Sequence, residues 1–502
     1  MAKIKILQKP CQKDAAKRPA VERVLANRKT PEILKEFAKG RYFYIRTYGC
    51  QGNVRDEEVM AGFLTEAGFT RTEDASLADV AIINTCAVRE NAEDKIYGEI
   101  GNFKANKKKN PDFMLVLAGC VMGEDGVGEK LIETYPFISL VIGTHDVAKI
   151  NDLLAEVIKE RKSIINVHSF SSEIVENLPS VRLDNNQAFV NISYGCDKFC
   201  TYCIVPFTRG RERSRHLDDI VAECKKLVEE GYKQITLLGQ NVNSYGLDLK
   251  DGTDFAKLLS AAAETGIPRL RFLTSYPSQF SDEMIDVMAK YENIDHWLHF
   301  PVQSGSSSCL RRMARRYTRE EYLERANKIK EKMPDIALTT DIIVGFPGET
   351  EEEFLERRQK EVKPLFDSLH KWLLEKKALD IRESSKTKEA INYCLNRWDN
   401  LTRFLNYSYL TTSTNSAEQT VRPFTLLRKN SMFYGSGEGA RSSCWILTMI
   451  ETAKIHNISP EDYLRCVFER APYCKSDEDW EKLLPWNIKI TPYEPRGEWV
   501  KD

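Results

Sequence analysis

From about Arg41 onward, short apolar runs alternate with longer amphipathic stretches. Arg41–Tyr48 has the β-branched and aromatic content of a strand, and Gly49–Asn53 reads as the loop that follows it. A helical pattern then covers about Asp56 to Ala67. Val80–Ile83 is a buried strand leading to Cys86, a second helix covers about Asn91 to Lys107, and Phe113–Ala118 is a third strand that runs into Gly119-Cys120. Leu140–Gly143 and a helix from about Val147 to Lys159 complete the series. Continuous apolar strands separated by helices predict a parallel sheet covered on both faces. A second series begins with Ala188–Ser193, a helix over about Asp218 to Glu230 and the strand Gln234–Leu238. Polar strand ends recur at Thr274–Pro277, His299–Ser306 and Thr339–Thr350. Such units predict a partial (β/α) barrel with its site on the C-terminal face of the strands.

These patterns divide the chain. Residues 1–40 are polar and Lys-rich, broken by Pro10, Pro19 and Pro31, and read as a partly disordered N-terminal extension, either a solvated tail or a basic arm. Residues 41–165 and 180–355 form the two α/β domains, joined by a polar linker, and 356–502 follow as a mainly helical region. Composition adds little to this division. With 42% hydrophobic and 29% charged residues over 502 positions, the chain has the make-up of a globular protein of two to four domains. A net charge of −1 excludes a globally basic nucleic-acid binder and leaves only local patches. No apolar run reaches membrane-spanning length, and no apolar core follows the N-terminal Lys and Arg as a secretory signal would require. The expected location is the cytoplasm.

Cysteine changes the picture. The thirteen cysteines are an odd number, which suits metal ligation in a reducing compartment better than a disulfide framework. Cys196, Cys200 and Cys203 lie at C-x3-C-x2-C spacing just after a strand. Three thiolates on one loop can hold three corners of a cubane iron–sulfur cluster and leave the fourth iron open. A structural zinc site would need a fourth Cys or His close by, and the next thiol, Cys224, falls inside a helical pattern. Cys50, Cys86 and Cys120 each lie just past a strand end, the edge where open α/β sheets bind ligands. Singly, each would read as a buried core thiol; their shared position points to a second cluster.

The three-cysteine loop resembles the signature of the radical S-adenosylmethionine (SAM) superfamily. In that family the open iron binds the amino and carboxylate groups of SAM, and one electron cleaves SAM to methionine and a 5′-deoxyadenosyl radical. Thr47–Gln51, Asn84–Ala92 and Ala118–Cys120 resemble the N-terminal domain of the methylthiotransferases, and the string after Cys86 resembles the MiaB branch, which acts on tRNA. The resemblance runs from about Arg41 to Phe354. It implies two 4Fe-4S clusters, an auxiliary one on Cys50, Cys86 and Cys120 and a radical-generating one on Cys196, Cys200 and Cys203, with no catalytic side chain beyond these ligands. It further implies SAM held near Gly239, Gln240, Gln303 and Gly345. The partners it implies are a tRNA bearing isopentenyladenosine and an electron donor such as flavodoxin or ferredoxin, with the enzyme acting as a monomer.

Two arginine groups are candidate nucleic-acid contacts. Arg209 and Arg211 belong to a four-arginine loop after Cys203 that could also meet the SAM carboxylate, or could be solvated; Arg315 and Arg316 lie in a basic patch beside Tyr317. Near Glu356 the MiaB-like pattern stops, where such a chain should continue into its last barrel strand and a tRNA-binding TRAM domain. About Arg357 to Lys489 instead resembles the C-terminal part of IS-sixty-six-type insertion-sequence transposases. Glu418 falls at that family's last catalytic acid, and one carboxylate builds no two-metal site. The Arg422, Arg428 and Lys429 cluster is either a weak nucleic-acid contact or solvated surface. The resemblance therefore implies an enzyme whose tRNA-gripping domain has been replaced; the competing reading is an inactive, transposase-derived DNA-binding fragment on a truncated enzyme.

Overall fold

The computed structural model describes residues 4–11, 20–87, 90–349, 355, 358–378, 385–407 and 436–490. It separates into two compact units, Met1–Thr350 and Glu351–Asp502.

The first unit opens on a parallel sheet. Its main strands are β1 (Ile4–Gln8), β2 (Tyr42–Tyr48), β3 (Val80–Thr85), β4 (Met114–Gly119), β5 (Ile138–Ile142) and β6 (Ser163–Asn166). They lie in the order β1-β6-β5-β4-β3-β2, and the two-residue strand Thr70–Arg71 closes the far edge. Alternate side chains supply two separate cores. Val80, Ile82, Val116, Leu140 and Ile142 face one layer, while Ala81, Ile83, Leu115, Leu117 and Val141 face the other. Each fully buried Val, Leu or Ile contributes roughly 1.5–3 kcal/mol, which is why apolar residues dominate these runs. Against the first layer pack α1 (Glu32–Ala38), α2 (Gln51–Ala67) and α3 (Ile150–Glu160).

The segment read as an N-terminal extension is part of this domain, which corrects that expectation. Ile4–Gln8 pairs with β6 as an edge strand, and Leu34 and Ala38, one helical turn apart on α1, are fully buried. Prolines at the segment's breaks hid three short elements, Ile4–Gln8, Glu22–Leu25 and α1, whose apolar residues are few. The helix expected from Asp56 begins at Gln51, directly after Cys50. The helix expected over Asn91 to Lys107 divides at Phe103 into Glu90–Asn102 and Lys104–Lys109, because Phe103 is drawn into the core.

The half-barrel follows. β7 (Gln187–Asn191), β8 (Gln234–Leu238) and β9 (Arg269–Phe272) form one parallel sheet, and β10 (Trp297–His299) pairs in parallel with β11 (Ala337–Thr339). Among the helices between them are α4 (Leu217–Glu229), α5 (Phe255–Ala263), α6 (Asp282–Lys290) and α7 (Arg319–Lys332). Their apolar faces and the strands share one core that includes Ile220, Ile235, Leu259, Met288 and Ile329. Among the described residues β11 has β10 as its only strand partner, and beyond it Ile342 and Val344 are 51% and 61% exposed. Among the described residues no further strand extends this side of the barrel.

The second unit is helical in its described parts. Phe366 on the helix Lys363–Lys377 makes ring contacts with Trp398 and Phe404, which follow the helix Lys386–Asn396. Gly437–Ile455 and Pro460–Arg470 share a small core of Ala453, Tyr463, Cys466, Leu483 and Ile488. Glu418, Arg422, Arg428 and Lys429 lie outside the described residues, as do Val88 and Arg89. Among the described residues, no helix is long and apolar enough to cross a membrane.

Candidate metal and SAM centre

Strand register aligns the first set of thiols. Tyr48 pairs with Thr85, and Thr85 with Gly119. Cys50, Cys86 and Cys120 therefore leave one edge of the sheet just past the same row. The backbone is crowded there. Gly119 has φ +102°, and a Cβ on it would stand 2.2 Å from the Thr85 carbonyl oxygen, so no other residue fits. A Cβ on Gly49 would meet the Cys86 Cβ at 2.8 Å. Asn53 Nδ2 donates to Asn84 Oδ1 and the Thr85 carbonyl at 3.4 and 3.3 Å, and Asn84 Nδ2 donates to the Asn53 carbonyl at 2.8 Å.

Cys50 occupies the N-cap of α2, with its carbonyl accepting from Asn53 and Val54. A helix N-terminus favours a thiolate. A hydrogen bond from Cys86, outweighing partial burial and aided by the Arg209 charge, brings the Cys50 thiol down to about 5. Thr85 Oγ1, buried beside Cys86, has no hydrogen-bond partner.

The second set lies on the loop after β7. Gly195 has φ +77°, and its N–H donates to Gln240 Oε1 at 2.5 Å. The Lys198 N–H donates to Cys196 Sγ at 3.4 Å, and Thr201 is tied to the Met313 and Arg312 carbonyls at 3.1 Å. Cys196 and Cys200 are buried, and Cys203 is half-buried. Burial pushes the Cys196 thiol up to about 12 and raises that of Cys203. In metal-free protein at pH 7, Cys50 is thus expected to react with iodoacetamide more than about tenfold faster than Cys196. Peptide mass spectrometry after a short pulse measures this. Cys50 labelling should fall only as the pH drops towards about 5, and Cys196 labelling should still be rising at pH 10.

The remaining candidates fall into two groups. Gly239 ends β8 with its Cα against Ser193, where a Cβ would stand 2.8 Å from the hydroxyl, and Gln240 holds the cysteine loop as described. Gln303 has φ +66° and pairs through its backbone with Asp341 and Ile343, on the stretch that leads to Gly345, which is exposed. The arginines are placed differently from a nucleic-acid contact. Arg209 and Arg315 are 5% and 8% exposed. Arg209 pairs with Asp56 at 2.7 Å. Arg315 donates to the Pro301 carbonyl at 3.0 Å and to Tyr317 Oη at 2.8 Å, and its Nη1 lies 3.8 Å from Cys200 Sγ. Arg211 is braced by Asp197 at 2.6 Å, Arg213 donates to the Ser171 carbonyl at 3.3 Å, and Arg215 pairs with Glu176 and Glu223 at 2.6 and 2.8 Å. The four-arginine loop is an internal clamp. Its alternating charges read as surface because the partners come from distant segments. Of the four candidates only Arg316 is exposed.

Residues that the sequence did not single out surround both loops. The polar run Arg55–Glu58 is buried on the first turns of α2. Glu212 sits behind the second cysteine loop, hydrogen-bonded to Ser244 Oγ, and burial pushes its carboxyl up to about 7. Ser193 Oγ, Asn241 Oδ1 and Ser275 Oγ, just beyond the C-terminal ends of β7, β8 and β9, are buried without partners. Orphaned polar atoms converging on that face suit a ligand with several polar groups, as SAM has. Two sets of three soft thiols suit iron–sulfur clusters, whose thiolates spread over separate irons. Among the described residues, no three His, Cys, Asp or Glu side chains converge on a single ion.

A half-barrel with a three-cysteine loop at its C-terminal face, behind a sheet domain with three more cysteines on one edge, defines a radical SAM enzyme of the methylthiotransferase class. Residues 42–143 match the family described as Uncharacterized protein family UPF0004, and 190–359 match the Radical SAM superfamily. The tRNA-2-methylthio-N(6)-dimethylallyladenosine synthase of Bacillus subtilis (strain 168) is 48% identical over 366 residues, covering 72% of this chain and 72% of that protein. The enzyme of that name from Staphylococcus haemolyticus (strain JCSC1435) is 50% identical over 354 residues, 70% of this chain and 69% of that protein. The chain belongs to the family of tRNA-2-methylthio-N(6)-dimethylallyladenosine synthases. Residues 301–442 match the Transposase IS66 family and 448–486 the IS66 C-terminal element, so the end of the chain is similar to a different family. The solved radical SAM methyltransferase TsrM from Kitasatospora setae superposes with a TM-score of 0.46 at 15% identity, over 66% of this chain and 71% of that one.

Proposed function

We propose that this chain is a tRNA methylthiotransferase that converts N6-isopentenyladenosine next to the anticodon to its 2-methylthio derivative. The observation that carries the proposal is the in-register convergence of Cys50, Cys86 and Cys120 within the same compact unit as Cys196, Cys200 and Cys203. Two 4Fe-4S clusters held by these sets would supply, respectively, sulfur for insertion and the electron that turns SAM into a 5′-deoxyadenosyl radical. Removing a hydrogen from the adenine ring needs a radical, because that C–H bond is inert to acid–base groups.

The chain's own residues do the rest. Gln240 fixes the turn at Gly195 and so the loop that carries Cys196. Arg315 ties the Pro301 strand end to the Cys200 side of that loop. Ser193, Asn241 and Ser275 offer unsatisfied polar atoms where SAM would lie, with Gly239 leaving space beside them. Gln303 and Gly345 lie on the neighbouring strand ends and would complete that wall. The domains at 41–165 and 180–355 would form the catalytic body, and 356–502 take the place in the sequence that a tRNA-gripping TRAM domain would have. This reading takes a one-electron donor of flavodoxin or ferredoxin type and a monomer in the cytoplasm.

Anaerobic reconstitution with iron and sulfide tests the proposal. About eight irons per chain are expected, and about four would sink the two-cluster reading. Mass spectrometry of isopentenylated tRNA after incubation with SAM and a reductant should show the methylthio product. Fully loaded protein that cleaves SAM without forming this product would mark the C-terminal replacement as having cost the chain its substrate.

A further inference from the structure

Arg209 reaches the first thiol set from the barrel side of the molecule. It caps the short helix Val205–Thr208, which follows Cys203 directly. That helix is docked hard against the sheet domain. A Cβ on Gly123 would stand 3.1 Å from the Thr208 Cα, and Thr144 Oγ1 donates to the Thr208 carbonyl at 2.8 Å. The Arg209 side chain then enters between two thiols. Its Nε lies 3.3 Å from Cys120 Sγ, and a Cβ on Gly52 would stand 3.5 Å from both Arg209 Nη2 and Cys50 Sγ. Asp56 on α2 holds the other side of the guanidinium at 2.7 Å.

Burying a guanidinium costs several kcal/mol unless it is paired and hydrogen-bonded. Asp56 balances one charge. Its Nε–H donates to the Cys120 sulfur, and thiolates loaded with iron carry the negative charge that such a donor fits. Hydrogen bonds and positive charge at cluster sulfurs stabilise the reduced, more negative state and raise the potential.

We infer that Arg209 is a positioning residue for the auxiliary cluster, holding Cys50 and Cys120 and setting the cluster's reduction potential from within the segment that carries the radical-generating loop. The inference rests on the two-cluster reading. It gives the four-arginine loop a task unrelated to phosphate, and it makes docking of the two domains a condition for the auxiliary cluster's electronic state.

The test uses the full chain with Cys196, Cys200 and Cys203 changed to alanine, so that only the auxiliary cluster can load. Arg209→Gln combined with Asp56→Asn removes the ion pair without leaving a buried charge. Redox titration followed by electron paramagnetic resonance is expected to give a more negative midpoint than the parent, with Arg209→Lys in between. A midpoint equal to the parent's in both variants overturns the inference. Where the double variant folds but does not load, Arg209→Lys decides: a lowered midpoint supports the assignment and the parent's midpoint overturns it. A parent that binds no iron overturns the two-cluster reading instead, so the two failures are distinct.

Discussion

Changing Cys50, Cys86 and Cys120 together to alanine is expected to leave SAM cleavage in place and to remove the methylthio product, while Cys196→Ala alone removes both. The two thiol sets occupy different strand-end edges of one unit, and each has its own supports. Gln240, Thr201 and Arg315 brace the second set; Asn53, Asn84 and Arg209 brace the first. Altering partners of metal ligands costs about 10–100-fold, and removing the ligands themselves costs more. Product formation should therefore fall more than about 100-fold in the triple variant. Chromatography for 5′-deoxyadenosine and mass spectrometry of the tRNA read the two outcomes separately. Loss of 5′-deoxyadenosine in the triple variant would show that the sets do not act independently.

The second large effect concerns Glu223 on α4. Its carboxylate accepts from Arg215 at 2.8 Å, Arg182 at 3.0 Å and Arg55 at 3.3 Å. Arg55 belongs to α2 of the sheet domain, Arg182 to the segment that leads into β7 and Arg215 to the arginine loop, so one carboxylate ties three segments together. Burial alone would push this carboxyl up, yet the three cations hold it at about 2. Glu223→Ala leaves three buried cations short of a partner and should destabilise the first unit by about 3–5 kcal/mol, measured by urea unfolding. Because the folded-state pKa lies below the unfolded value, this contribution is present in full above about pH 4.3 and is lost as pH falls towards 2. In Glu223→Ala the acid limb of the stability curve should flatten. A steep acid limb that survives unchanged would place the pH dependence elsewhere.

Much of this architecture was legible in the sequence because its signals are local. The strands that end in Thr85-Cys86 and Gly119-Cys120 are continuous apolar runs, and a two-faced core demands that pattern. The C-x3-C-x2-C spacing is compact. What stayed hidden depends on partners far apart in the chain. Arg55, Asp56, Glu57 and Glu58 look like a solvated helix start, and they are buried because Arg182, Arg209 and Arg71 come to meet them. Arg209 looked like a phosphate contact for the same reason. The start of α2 was hidden too, because Cys50 occupies a cap position that Ser, Thr, Asp or Asn usually marks.

The unfinished barrel edge at β11 bears on the fate of the chain in a cell. An edge strand whose only strand partner among the described residues is β10, followed by exposed Ile342 and Val344, is a template on which another copy can add a strand. Chaperones and proteases survey surfaces of this kind. Turnover prompted at that edge would lower the abundance of the chain even with both thiol sets intact.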